Sequence, residues 1–135
     1  MITLRGQATL LATAAFVAVL GVATWRQGST GAAEVAASDT EAARGHWPEA
    51  IAHARAAAEA AAPGSPWPDR GFRRLASIGH DAATRGDEST ARLAYAAMRT
   101  AAVETRPPWS DHTDWADRAA QELSRLDARG SGAGR

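Results

Sequence analysis

Four histidines, scattered serines and a set of arginines are the side chains of this 135-residue chain best equipped to bind or react. The densest group is GHWPEAIAHARAA, Gly45 to Ala57, where His46 and His53 stand seven residues apart beside Trp47 and Glu49. Two imidazoles on one helix face could hold a divalent metal. Pro48 argues against that arrangement. A proline suits the opening position of a helix, where the N–H it lacks has no partner to lose, so His46 falls in the preceding turn. No Asp or Glu stands at i+4 from both histidines, and the HExxH pattern is missing. The two read as solvent-facing, and no metal or cofactor is expected. His80 and His112 are isolated.

Nucleophilic chemistry has no better footing. Ser77 and His80 are three apart on a helix, but a nucleophile and base also need an orienting group and an oxyanion site. Cysteine is absent, which removes thiolate ligands, disulfides and c-type haem attachment. No strand precedes a glycine-rich loop, so no phosphate cradle is present. The formal charge is zero, and no bulk field draws nucleic acid or an anionic surface. The chain reads as a non-enzyme with no small-molecule substrate and no nucleic-acid partner.

Recognition residues remain. Arg70, Arg73 and Arg74 form a local basic group, and Arg73 with His80 could meet an acidic peptide through charge-assisted hydrogen bonds. Trp67 and Trp109 sit in the proline-flanked loops SPWPD and PPWSD. There they either cap the ends of the core or serve as exposed partner anchors, a role tryptophan often fills. Trp47 and Trp115 suit packing between helices.

The elements that must position these residues are helical. All fifteen basic side chains are arginine, lysine and asparagine are missing, and alanine makes up about a quarter of the chain. That bias matches a high-G+C bacterium, and alanine favours helix in any case. Pro48 and Glu49 open one helix carrying Ile51, Ala54, Ala58 and Ala61, which APGSPWPD stops. Asp69 is a candidate N-cap for a helix with Phe72, Leu75, Ala76, Gly79 and Ala83 on its apolar face, ending at Gly86. Asp87 caps the next, whose Ala91, Ala94, Tyr95, Met98, Ala101 and Ala102 recur at helical spacing until Pro107-Pro108. A last helix starts near Ser110 and turns Trp115, Ala119, Leu123 and Leu126 inward. Ser38 and Glu41 fit a capping box, which gives a short helix over Val35 to Arg44.

Gly6 to Trp25 carries no charge. A helix over Ala8 to Trp25 would rise roughly 27 Å, close to the thickness of a bilayer core. Residues 1–26 are therefore expected to form a single transmembrane anchor with Trp25 and Arg26 at the interface, or else a cleaved signal peptide. Arg5 before the span favours an inside N-terminus, which places the remainder on the periplasmic side of the inner membrane. Residues 27–34 read as a flexible tether, 35–129 as the helical domain, and 130–135 as a disordered tail.

Two parts of the body echo each other. Gly45 and Gly86 each precede a helix with alanine five residues on, Ala50 and Ala91, and SPWPD is matched by PPWSD. Leu75-x2-Ile78-Gly79-x2-Ala82, then Gly86-Asp87, then Ala91-x3-Tyr95 resembles a tetratricopeptide repeat over Phe72 to Thr105. GHWPEAIAHARAA is similar to the second half of another such unit, with Gly45 at the turn and Ala50 at the close contact. Its first helix departs from the pattern, with Glu34 where Leu75 would correspond and Ser38 where Gly79 would, and Ala54 replaces the seam aromatic. The resemblance implies an all-α fold of about two degenerate helical hairpins, with Arg73, Ala76, His80 and Ala83 lining a concave face. It also implies a protein–protein interaction module. Joined to the anchor, this gives an accessory or assembly subunit docking onto another envelope or membrane-complex protein. The alternative is a cleaved, soluble periplasmic protein that binds a peptide or ligand.

Overall fold

The computed structural model describes residues 30–132, and all regular structure among them is helical. Helix α1 covers residues 30–43, followed by α2 (Trp47–Glu59), α3 (Trp67–Thr84), α4 (Glu88–Glu104) and α5 (Thr113–Gly132). The all-α expectation holds. The span read over Ala8 to Trp25, with Trp25 and Arg26 at its end, lies outside the described residues. Among those described, no helix is long and apolar enough to cross a membrane.

Each helix ends for a local reason. Pro48 occupies the first turn of α2, with Glu49 at the positive end of the dipole. Asp87 caps α4, its Oδ1 accepting from the Thr90 N–H at 3.1 Å. Gly45 and Gly86 adopt φ of +77° and +79°, a conformation in which a Cβ is strained, and each closes the helix before it in the same way. The Gly45 N–H bonds to the Ala42 carbonyl at 3.0 Å and the His46 N–H to that of Glu41 at 2.9 Å. One hairpin later Gly86 bonds to Ala83 at 3.2 Å and Asp87 to Ala82 at 2.9 Å. These are two Schellman turns of identical bonding pattern.

Four boundaries differ from the sequence reading. Residues 30–34, expected in the tether, are already helical. Ser38 is therefore not a cap but a mid-helix residue, fully buried, whose hydroxyl donates to the Ala50 carbonyl at 2.7 Å. Helix α3 starts at Trp67, so Asp69 is an acid in its first turn rather than the N-cap; Pro68 is as well suited to a first turn as Pro48. Helix α5 starts at Thr113 instead of Ser110, where the Asp111 carboxylate accepts from the Thr113 N–H at 2.9 Å. It continues through Gly132, so residues 130–132 of the expected tail are helical.

Packing follows chain order, with α2 on α3, α3 on α4 and α4 on α5, and α2 also meets α4. Phe72, Leu75, Ile78 and Met98 are the large fully buried side chains, and most other buried apolar residues are alanines. A core built of alanine demands short distances between helix axes. Gly71 and Gly79 provide them. A Cβ on Gly71 would lie 2.3 Å from the Ala58 backbone nitrogen, and one on Gly79 would lie 2.7 Å from the Tyr95 ring. Helix α1 is held to α3 by the Asp39–Arg74 ion pair at 3.0 Å.

Candidate functional site

His80, one of the recognition residues read from the sequence, lies on a concave surface where α3 and α5 flank α4. It is a cleft of about 380 Å³, with His80 and Thr84 from α3, Tyr95 from α4, and Glu122, Arg125 and Arg129 from α5 on its walls. Gly79 creates the floor, since it lets the Tyr95 ring lie directly against α3. Tyr95 is buried, and burial, aided by the Glu122 carboxylate, pushes its phenol above the ordinary value. The ring therefore carries a neutral hydroxyl near neutral pH. Arg125 spends one nitrogen on Glu122 at 2.7 Å. Arg129 forms no ion pair among the described residues. The cleft thus carries two guanidinium groups and an imidazole against one carboxylate, a balance suited to an acidic side chain or a free carboxylate.

His80, read from sequence as a partner-binding residue, is exposed on this cleft. Arg73 shares the outward face of α3 but lines no part of the cleft, and it holds Asp69 at 2.8 Å. Of the concave face that the repeat resemblance implied, His80 and Ala83 line the cleft, whereas Ala76 is buried. Arg125 and Arg129 are not among the recognition residues that the sequence singles out. Their four-residue spacing puts both on one side of α5, but which side faces His80 depends on how α5 crosses α4.

Trp67 is the first residue of α3, half-buried, and it meets α1 so closely that a Cβ on Gly31 would fall 2.5 Å from the Trp67 Cβ. The Arg70 guanidinium covers its ring at 4.7 Å. Trp109 remains 55 % exposed in the loop between α4 and α5. Trp25 and Arg26 lie outside the described residues.

His46 and His53, read from the sequence as solvent-facing, each pair with a glutamate of α1. His46 Nδ1 lies 2.8 Å from Glu41 and His53 Nδ1 lies 2.7 Å from Glu34. The seven-residue step in α1 (34 to 41) mirrors that between the histidines (46 to 53) across the Gly45 turn. They lace α1 to α2. That mirror was visible in the sequence. The His46 hydrogen bond is the main cause holding Glu41 below the ordinary carboxylate range. Ser77 donates to Asp81 at 3.5 Å, not to His80, so no nucleophile–base pair forms there. Among the described residues no group of three His, Cys, Asp or Glu is placed to hold a metal.

His112 is the residue that the sequence left least legible. It is 7 % exposed, with its ring 4.9 Å from that of Phe72, which in turn stacks on Trp115 at 5.6 Å. Its Nε2 is buried without a hydrogen bond. Burial pulls its pKa below the ordinary histidine value, against the opposing pull of Asp111 and Asp69.

No family model, no curated protein and no solved structure matches the chain.

Proposed function

We propose that this chain is a membrane-tethered, non-catalytic interaction module that captures an acidic segment of another envelope protein in the cleft between α3 and α5. The observation that carries the reading is the charge balance of that cleft, where Arg125, Arg129 and His80 face one carboxylate, Glu122, over a neutral tyrosine hydroxyl. Exposed Leu93, Val103 and Trp109 add apolar surface of the kind partner proteins cover. The domain is organised as two helical hairpins with matching turns. That organisation agrees with a degenerate tetratricopeptide-like array, in which so few units gain stability by docking. The uncharged stretch from Gly6 to Trp25 supplies the tether, and the docking domain then lies on the periplasmic side, as an accessory subunit of a larger assembly.

Two measurements test this together. Intact-mass analysis of the native protein from the membrane fraction is expected to retain Met1 to Trp25; a mature start near Thr24 in a soluble fraction would instead make it a free periplasmic binder. Fluorescence anisotropy with a labelled oligoglutamate peptide is expected to report saturable binding, lost in Arg129→Glu. Equal binding of an oligolysine peptide would sink the acidic-segment assignment.

A further inference from the structure

The two proline-flanked tryptophan stretches, one opening α3 and the other in the loop before α5, meet away from the α3–α5 cleft. SPWPDR (Ser65 to Arg70) and PPWSDH (Pro107 to His112) align residue for residue. Together they frame a pocket of about 150 Å³, with Ser65 and Asp69 from the first stretch and Trp109, Ser110 and His112 from the second. The alignment pairs Trp67 with Trp109 and Arg70 with His112. In the first stretch the Arg70 guanidinium covers its tryptophan at 4.7 Å. In the second the corresponding residue, His112, is turned inward against Phe72.

The consequence is an indole unlike the others. Trp47, Trp67 and Trp115 each carry an arginine of this chain, at 4.7, 4.7 and 5.7 Å. Trp109 carries none among the described residues and is the most exposed large apolar side chain there. Around it are acceptors. Asp69 uses Oδ2 on Arg73, which leaves Oδ1, and the Ser110 hydroxyl lines the same pocket. No arginine lines the pocket, although Arg106 stands near Asp111 and Arg73 beside Asp69.

We propose that this pocket binds the guanidinium of an arginine side chain from a partner protein, stacked on Trp109 and hydrogen-bonded to the Asp69 carboxylate and the Ser110 hydroxyl. Arginine fits better than lysine because its planar fork stacks on an indole while donating in its own plane to two acceptors. The intramolecular Arg70–Trp67 pair already displays the stacking half of that arrangement. The site does not depend on the α3–α5 cleft, and Trp109 and His112 report on it alone.

The test uses the full chain in detergent micelles and N-acetyl-arginine amide as probe, followed by NMR at the Trp109 indole N–H and the His112 ring protons. Saturable shifts at both residues are expected. The neutral isostere N-acetyl-citrulline amide is expected to give none, and N-acetyl-lysine amide to bind several-fold more weakly. Trp109→Ala and Asp69→Asn should each weaken arginine binding by about three- to tenfold, with an unchanged helical circular-dichroism spectrum. Trp109→Phe should retain part of the binding. Acidification should weaken binding as His112, at the pocket wall, takes a proton and its positive charge opposes the guanidinium. Absence of shifts with the arginine probe, equal response to citrulline, or binding unaffected by both substitutions would overturn the assignment.

Discussion

The Ser38 hydroxyl donates a 2.7 Å hydrogen bond to the Ala50 carbonyl at the crossing of α1 and α2. The positions that correspond in the second hairpin, one step of 41 residues on (38 to 79 and 50 to 91), are Gly79 and Ala91. Both crossings are close, but they are filled in opposite ways. In the first hairpin Ser38 supplies volume and a hydrogen bond, and Ala54 is small. In the second Gly79 supplies none, and Tyr95 is large enough to lie against it. Ser38→Ala should cost about 1 kcal/mol in a denaturant titration, the worth of one buried neutral hydrogen bond. A cost near zero would mean that the bond does not hold the hairpin.

The glycine crossings predict a graded response. In an unobstructed helix Gly→Ala gains up to about 1 kcal/mol, so any net loss reports a clash. Gly79→Ala meets a side chain and should lose about 1–3 kcal/mol, much of it recovered when Tyr95 is also made Leu. Gly71→Ala meets the α2 backbone at 2.3 Å, which has nowhere to move, and should lose more. Thermal or denaturant unfolding of the three variants checks the order.

Gly45→Ala and Gly86→Ala should each cost about 1–2 kcal/mol, the penalty for placing a Cβ at positive φ. A Cβ at either position would meet nothing within 4 Å, so the backbone conformation alone sets the loss. Equal losses would support the equivalence of the two turns; a markedly smaller loss at Gly45 would speak against it.

His112 makes stability depend on pH. Its folded pKa is lowered by burial, so the unfolded chain takes the proton first as pH falls. The contribution is complete above the unfolded value near 6.5 and is lost as pH drops from there through the folded value. The charged groups around the ring are Asp69 on α3 and Asp111 in the loop. His112→Phe should flatten the stability profile below about pH 6.5. An unchanged slope would place the titration elsewhere.

Much of this architecture was legible from punctuation. Gly86 followed by Asp87 is a helix stop and a helix start in adjacent residues, and both did what backbone geometry and capping require. The errors came from motifs with two meanings. Ser38 and Glu41 have the spacing of a capping box, yet a serine can bond across a hairpin and a glutamate can reach a histidine beyond the turn. Asp69 could cap, but two prolines before it had already started the helix. The cleft was half visible. His80 was readable from the face of α3, whereas Arg125 and Arg129 joined it only through the packing of α5, which no local spacing encodes. The same holds for His112, whose burial depends on Phe72 some forty positions away in the chain.

The docking role is tested most directly in the native membrane, with a photo-crosslinking residue in place of Thr84 on the cleft and, separately, in place of the exposed Ala52 on α2. Docking in the cleft predicts a discrete adduct with one partner protein from Thr84, none of that size from Ala52, and loss of the Thr84 adduct in the Arg125→Glu, Arg129→Glu double variant. The same adduct from both positions, or a Thr84 adduct indifferent to the charge reversal, would contradict it.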